Sequence, residues 1–196
     1  MTDREQAKPG WIRSWKARRH RRELAHELYV QLVAQARDPV LYRDWGVPDT
    51  VDGRLEMISL HAALLMGRLA AADPQGQELA QAFFDVMFGD VDRNLRELGV
   101  GDLSVGKKVK AIAESFYARA AALQQALVAN DREAIAIVLT RNVYVAGPSP
   151  ETGQLDGLIT HLFMYAKHLE ALPESELLSG RLSPASRNVD LASPGT

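Results

Sequence analysis

The sequence predicts an all-α fold: a compact single-domain bundle of about six helices, with a basic N-terminal arm and a flexible C-terminal tail. Three observations carry this expectation. Apolar residues recur at helical spacing in successive long segments. No stretch alternates apolar and polar residues for long enough to make a strand. Of 196 residues, 46% are hydrophobic and 24% charged, which supplies a core without a disulfide or metal staple.

The elements follow in order. Leu24, Leu28, Leu32 and Val33 place a first helix over 21–36, which Pro39 closes. Val40 to Pro48 reads as a short helical turn and a loop rich in aromatics. Asp49 or Thr50 caps a second helix, whose stripe is Ile58, His61, Leu65 and Leu69 and which stops at Asp73-Pro74. A third runs over 75–98, with Phe84, Met87, Phe88, Val91, Leu95 and Leu98 on one face and Gly99 as its left-handed stop. A fourth, capped by Asp102 or Ser104, carries Val109, Ile112, Phe116, Ala120, Leu123 and Leu127. Asn130-Asp131 restarts the pattern as a fifth helix through Ile135, Val138 and Leu139, and 146–150 breaks it. A last helix spans 155–172. Composition then turns to Ser, Pro and Gly without periodicity. The expected divisions are a Trp-containing arm over 1–22, a helical domain over 23–182 and a disordered tail over 183–196.

Cysteine is absent, which excludes disulfides, thiolate metal sites and cysteine nucleophiles. The net charge of −2 hides an asymmetry. Residues 1–22 hold eight basic and two acidic side chains, a balance of +6, so the rest carries −8. A basic arm on an acidic body suits a polyanionic surface, either anionic lipid or nucleic acid. Trp11, Ile12 and Trp15 at helical spacing among Lys16, Arg18, Arg19, Arg21 and Arg22 make the arm a candidate for membrane or RNA contact. A disordered arm without a role is the plain alternative. No apolar run reaches the roughly 20 residues of a membrane span, and the N-terminus lacks a signal-peptide core. A cytoplasmic protein, peripheral at the inner membrane, is expected.

Catalytic signals are weak. Gly101-Asp-Leu-Ser-Val-Gly106-Lys107 has the spacing of a phosphate-binding loop, but Lys108 stands where the magnesium-binding Ser or Thr belongs, and a helix precedes it. His61, inside an apolar stripe, reads as a core histidine with one satisfied nitrogen. His161 and His168 are two turns apart, too far to bind one metal from one helix. No catalytic residue, metal or cofactor is expected. Lys107, Lys108 and Lys110, placed in opening helical turns against the dipole, are either a solvated face or a knob for an acidic or phosphate-bearing partner. Phe83 is adjacent to Phe84 and falls at a margin. With Tyr42 and Trp45 it outlines an aromatic seat for an apolar client helix, unless all three are simply core.

The run Asp85-Val-Met-Phe-Gly-Asp-Val-Asp-Arg-Asn-Leu-Arg-Glu-Leu-Gly-Val-Gly-Asp-Leu-Ser-Val-Gly-Lys-Lys-Val-Lys110, followed by Phe116-Tyr117-x-Arg119, resembles the ubiquinol–cytochrome c chaperone family. So do Leu41-Tyr42 with Gly46-Val47-Pro48-Asp49, Leu60-His61, Arg141-Asn142-Val143-Tyr144 and Leu177-Leu178-Ser179-Gly180. The similarity covers residues 24–182 and leaves the arm outside. It implies an all-helical, non-catalytic bacterial relative of the mitochondrial chaperones, which bind newly made cytochrome b and help assemble complex III, partly at the ribosomal exit. One departure stands out: Leu123-Gln124 replaces the Tyr-Asp that relatives often carry.

The resulting expectation is a chaperone for the ubiquinol–cytochrome c reductase complex with cytochrome b as membrane-protein client. A small partner subunit and a ribosome or anionic-lipid contact would be further partners, without sequence-specific DNA binding. The alternative is a peripheral membrane- or RNA-binding adaptor acting through the arm. A third reading is a haem or small-molecule bundle using His61, His161 or His168.

Overall fold

In a computed structural model, which describes residues 10–145, 147 and 149–185, residues 57–65 are nine consecutive buried positions on one helix. A helix buried on every side must be wrapped by others, and this decides the architecture. The described residues form α1 (Gly10–Ala36), α2 (Pro39–Arg43), α3 (Val51–Ala70), α4 (Pro74–Glu97), α5 (Asp102–Val128), α6 (Arg132–Asn142), α7 (Thr152–Ala171) and α8 (Glu174–Leu178). Central α3 packs against α1, α4, α5 and α7, while α6 bridges α5 and α7. The all-α bundle expected from the sequence is the fold observed, with six long helices and two single-turn ones.

Local chemistry sets the helix boundaries. Asp38, Thr50, Asp73 and Asp131 each place a side-chain oxygen on an otherwise orphaned N–H of the first turn, those of Val40, Gly53, Gly76 and Ala134. Pro39 and Pro74 follow two of these caps at the first helical position. Gly99, at φ +83°, ends α4: its N–H reaches the Arg96 carbonyl while the Val100 N–H reaches Leu95. Asn130, at φ 53°, ends α5 the same way through Leu127 and Ala126. Asn is the non-glycine residue that tolerates this conformation best.

Tertiary structure extends two elements past their expected limits. The boundary expected after residue 22 falls inside α1, which is one continuous helix from Gly10. Arg21 pairs with Glu78, and the Tyr29 hydroxyl donates to Asp90 at 2.9 Å. Both partner series ascend together, so α1 and α4 run in the same direction. At the other end, α8 lay hidden because a single turn has no period to read. Its continuation straps onto α1: Gln31 donates to the Gly180 carbonyl and accepts from the Leu182 N–H, and Gln35 donates to the Leu182 carbonyl. Leu177 and Leu182 are buried beneath the strap. Of the tail expected over 183–196, residues 186–196 lie outside the described residues, as do residues 1–9 of the arm. No described helix is long and apolar enough to cross a membrane.

Candidate functional site

The expected aromatic seat is rearranged. Phe83 is fully buried (0% exposed) and meets the ring of Tyr29 edge-on at 6.0 Å, which overturns its placement at a margin. The physical reason is that α4 is clamped between two neighbours. Phe83 faces α1, while Phe84 faces α5 and stacks on Tyr117 at 5.1 Å. Both adjacent phenylalanines are therefore packed, each against a different helix. Tyr42 is half-buried, and its hydroxyl donates to the Ala36 carbonyl at 2.9 Å. It lines a shallow cleft of about 570 Å³ with Arg37, Pro39, Arg43, Asp49 and Arg54. Trp45 is also half-buried: its indole lies 4.9 Å from the His161 ring, and its carbonyl accepts the Tyr144 hydroxyl at 2.7 Å. These two aromatics fasten the α2 loop to the bundle.

Beneath Trp45 lies a pairing that sequence separation concealed. His61 on α3 and His161 on α7 approach Nε2 to Nε2 at 3.0 Å. His61 Nδ1 sits 2.8 Å from the Met57 carbonyl, which can only accept, so Nδ1 carries the proton. His61 Nε2 is then a bare acceptor, and His161 Nε2–H donates to it. Both rings are neutral. Burial pushes the His61 pKa down to about 4 and, with the neighbouring His61, that of His161 to about 3. Tyr165 packs against both rings, at 4.6 and 6.0 Å. The lone pair a haem or metal would need on His61 Nε2 is already engaged. His168 bonds the Ser183 carbonyl at 2.7 Å, so each histidine named for cofactor binding holds a structural partner instead. Among the described residues, no group of three or more His, Asp or Glu side chains could hold a metal.

The basic knob keeps its exposure but loses its electrostatic anomaly. Lys107, Lys108 and Lys110 are all exposed. Because α5 begins at Asp102, they sit in its second and third turns, beyond the first turn where the dipole acts. Gly106 is inside this helix, so the false phosphate loop does not exist as a loop. Lys110 pairs with Glu114 at 3.8 Å, whereas Lys107 and Lys108 make no ion pair among the described residues. Positions 107, 110, 114 and 117 share one line of α5. That line ends at Tyr117, 49% exposed and stacked on Phe84, with Phe116 and Phe88 below. This exposed aromatic edge was missed in the sequence; the signal available was the i, i+3, i+7, i+10 spacing from Lys107 to Tyr117.

The departure at Leu123-Gln124 has an internal role. Leu123 is buried, and Gln124 donates to the Ala63 carbonyl at 3.1 Å while lying over Gly67. The pair binds α5 to α3. Nearby, Arg119 and Glu56 form a largely buried ion pair at 3.3 Å, and burial raises the Glu56 pKa. Arg119 opens onto a groove of about 560 Å³ between α5 and α6, lined by Ala118, Ala122, Ala129 and Ile137.

On the arm, Trp11 and Trp15 are 73% and 58% exposed. Lys16, Arg18 and Arg22 are also exposed. Arg19 pairs with Glu23 at 2.9 Å and lies over the Trp15 ring. Arg21, by contrast, is only partly exposed and committed to Glu78 of α4, which corrects its expected place among the free contact residues.

The described residues define an all-helical protein with a neutral polar pair in its core and exposed aromatic and basic side chains on α1 and α5. Residues 43–185 match the family model for the ubiquinol–cytochrome C chaperone, and the chain belongs to that family. It is 24% identical over 159 residues to ubiquinol-cytochrome c reductase complex assembly factor 1 of Drosophila melanogaster. That alignment covers 79% of this chain and 61% of the relative's length. It is 34% identical, at a TM-score of 0.77, to the crystal structure of the Cbp3 homolog from Brucella abortus, covering 89% of this chain and 96% of that one. The family match starts at Arg43, leaving α1 outside it.

Proposed function

We propose that this chain is a non-catalytic assembly chaperone for the ubiquinol–cytochrome c reductase complex and that its client is unassembled cytochrome b. The match over 43–185 carries this reading, because it spans the bundle from the α2 loop to the strap. Agreement of fold along almost the whole of a homolog 34% identical supports it further. The client surface we assign is the exposed edge of α4 and α5: Tyr117 stacked on Phe84, with Lys107 nearly three turns before it on the same line of α5. Aromatic area at low entropic cost in line with a free cation suits an apolar segment whose end or headgroup neighbourhood is anionic. Tyr42 and Trp45 support this surface only indirectly, through the loop they hold. The protein acts at the cytoplasmic side of the inner membrane, and a small partner subunit can share the lysine-bearing face.

Deletion of the gene tests the function. Assembled complex III, read on native gels, and spectroscopic cytochrome b should both fall. Unchanged levels of both would refute the assignment. A photo-crosslinker at position 117 should capture cytochrome b; capture from position 42 but not 117 would move the client to the other surface.

A further inference from the structure

The opening turns of α1 carry exposed side chains. Trp11 and every residue from 14 to 20 are exposed, and the first tie to another helix is Arg21 to Glu78. A helix rises about 1.5 Å per residue, so this segment overhangs by roughly 15 Å. Its composition is unlike that of the body. Trp11 and Trp15 lie four residues apart and so share one side. Lys16, Arg18 and Arg22 stand around them with no ion pair among the described residues. Two exposed indoles one turn apart leave apolar area that a desolvating partner would cover.

We propose that this overhang is an interfacial anchor for an anionic phospholipid surface, with the indoles at headgroup depth and the free cations on lipid phosphates. Three observations select lipid as the occupant. The indoles are amphipathic and stand one turn apart on the same side of the helix, as at a membrane interface. The cations flank them, as in helices that lie in the interfacial plane. The charge is confined to this end: residues 1–22 carry +6 and the remainder −8, so an anionic surface attracts the arm and repels the body. The molecule is thereby oriented, with the bundle held off the surface. A basic helix seated on RNA uses its cations and does not require paired indoles on one side. This proposal is independent of the client assignment, since the overhang lies outside the region that matches the family.

The test is co-sedimentation of the full-length protein with vesicles of phosphatidylcholine alone and with added phosphatidylglycerol. Binding should appear only with the anionic lipid and weaken with salt. A blue shift of tryptophan emission should accompany it and vanish in Trp11→Phe/Trp15→Phe. Each cation near an anionic surface is worth about fivefold in partition, so Lys16→Gln/Arg18→Gln/Arg22→Gln should bind about 100-fold more weakly. Trp11→Ala/Trp15→Ala should lose at least tenfold. These positions are exposed on α1, and circular dichroism of each variant should match the parent. Absence of binding to the anionic vesicles overturns the proposal. So does binding that both tryptophan replacements leave unchanged, or retention by single-stranded RNA with no retention by the vesicles.

Discussion

Acidification should unfold this protein through its histidine pair, and the size of the effect can be worked out. His61 and His161 are neutral in the folded state, with pKa values of about 4 and about 3 against 6.5 when free. A depressed folded pKa means the unfolded chain binds protons first, so stability is complete above pH 6.5 and declines as pH falls toward the folded values. At pH 5 both rings are still neutral in the bundle, whereas each free histidine lies about 1.5 pH units below its own pKa. Each therefore favours unfolding by about 2 kcal/mol, and the pair by about 4 kcal/mol. Against a total stability of roughly 5–15 kcal/mol this is a large fraction. Among the described residues the pair is met by Tyr165, Trp45 and the Met57 carbonyl, and no carboxylate hydrogen bond or ion pair offsets the effect. Urea denaturation at pH 8 and pH 5 measures the loss in the parent and in His61→Leu/His161→Leu, which removes both polar partners together. The double variant should lose about 4 kcal/mol less than the parent between the two pH values. An equal loss in both proteins would refute the assignment of the acid response to this pair.

Other substitutions separate core from surface. Phe83→Ala should destabilise the fold by about 3–5 kcal/mol, as for a buried aromatic, and abolish function by unfolding. Tyr117→Ala should lower the unfolding free energy by under about 1 kcal/mol yet lose cytochrome b crosslinking; the reverse ranking would restore Phe83 as the contact. Thr50→Ala removes the oxygen that accepts the Gly53 N–H and should lower stability by about 1 kcal/mol, measured by the same denaturation. Gly157→Ala would set a methyl 2.6 Å from the Trp45 ring and should cost about 1–3 kcal/mol as overpacking. Red-shifted emission in a Trp11→Phe/Trp15→Phe background would report the displaced indole.

Sequence alone determined what is local. Helix extents follow from apolar spacing, which placed α3, α4, α5 and α6; the Thr50 cap of α3 was legible because its oxygen bonds an N–H three residues on, whereas the Asp102 or Ser104 cap expected for α5 is replaced by Gly101, which makes no side-chain cap bond. The exposure of Lys107 and Lys110 was legible for the same reason, since both fall opposite Val109, Ile112 and Phe116 on one helix. Tertiary structure decided whatever depends on how many neighbours a helix has. A single stripe predicts one buried face, but α4 is packed from two sides, so Phe83 and Phe84 are both enclosed while Tyr117 keeps the exposed edge. The histidine pair needed α3 and α7 to bring together residues 100 positions apart, and no periodicity records that distance. Arg21 likewise read as a free cation until α4 placed Glu78 beside it. The arm's indoles stand apart: their sequence marked them as interfacial, and only the fold, by ending its contacts at Arg21, left them uncovered.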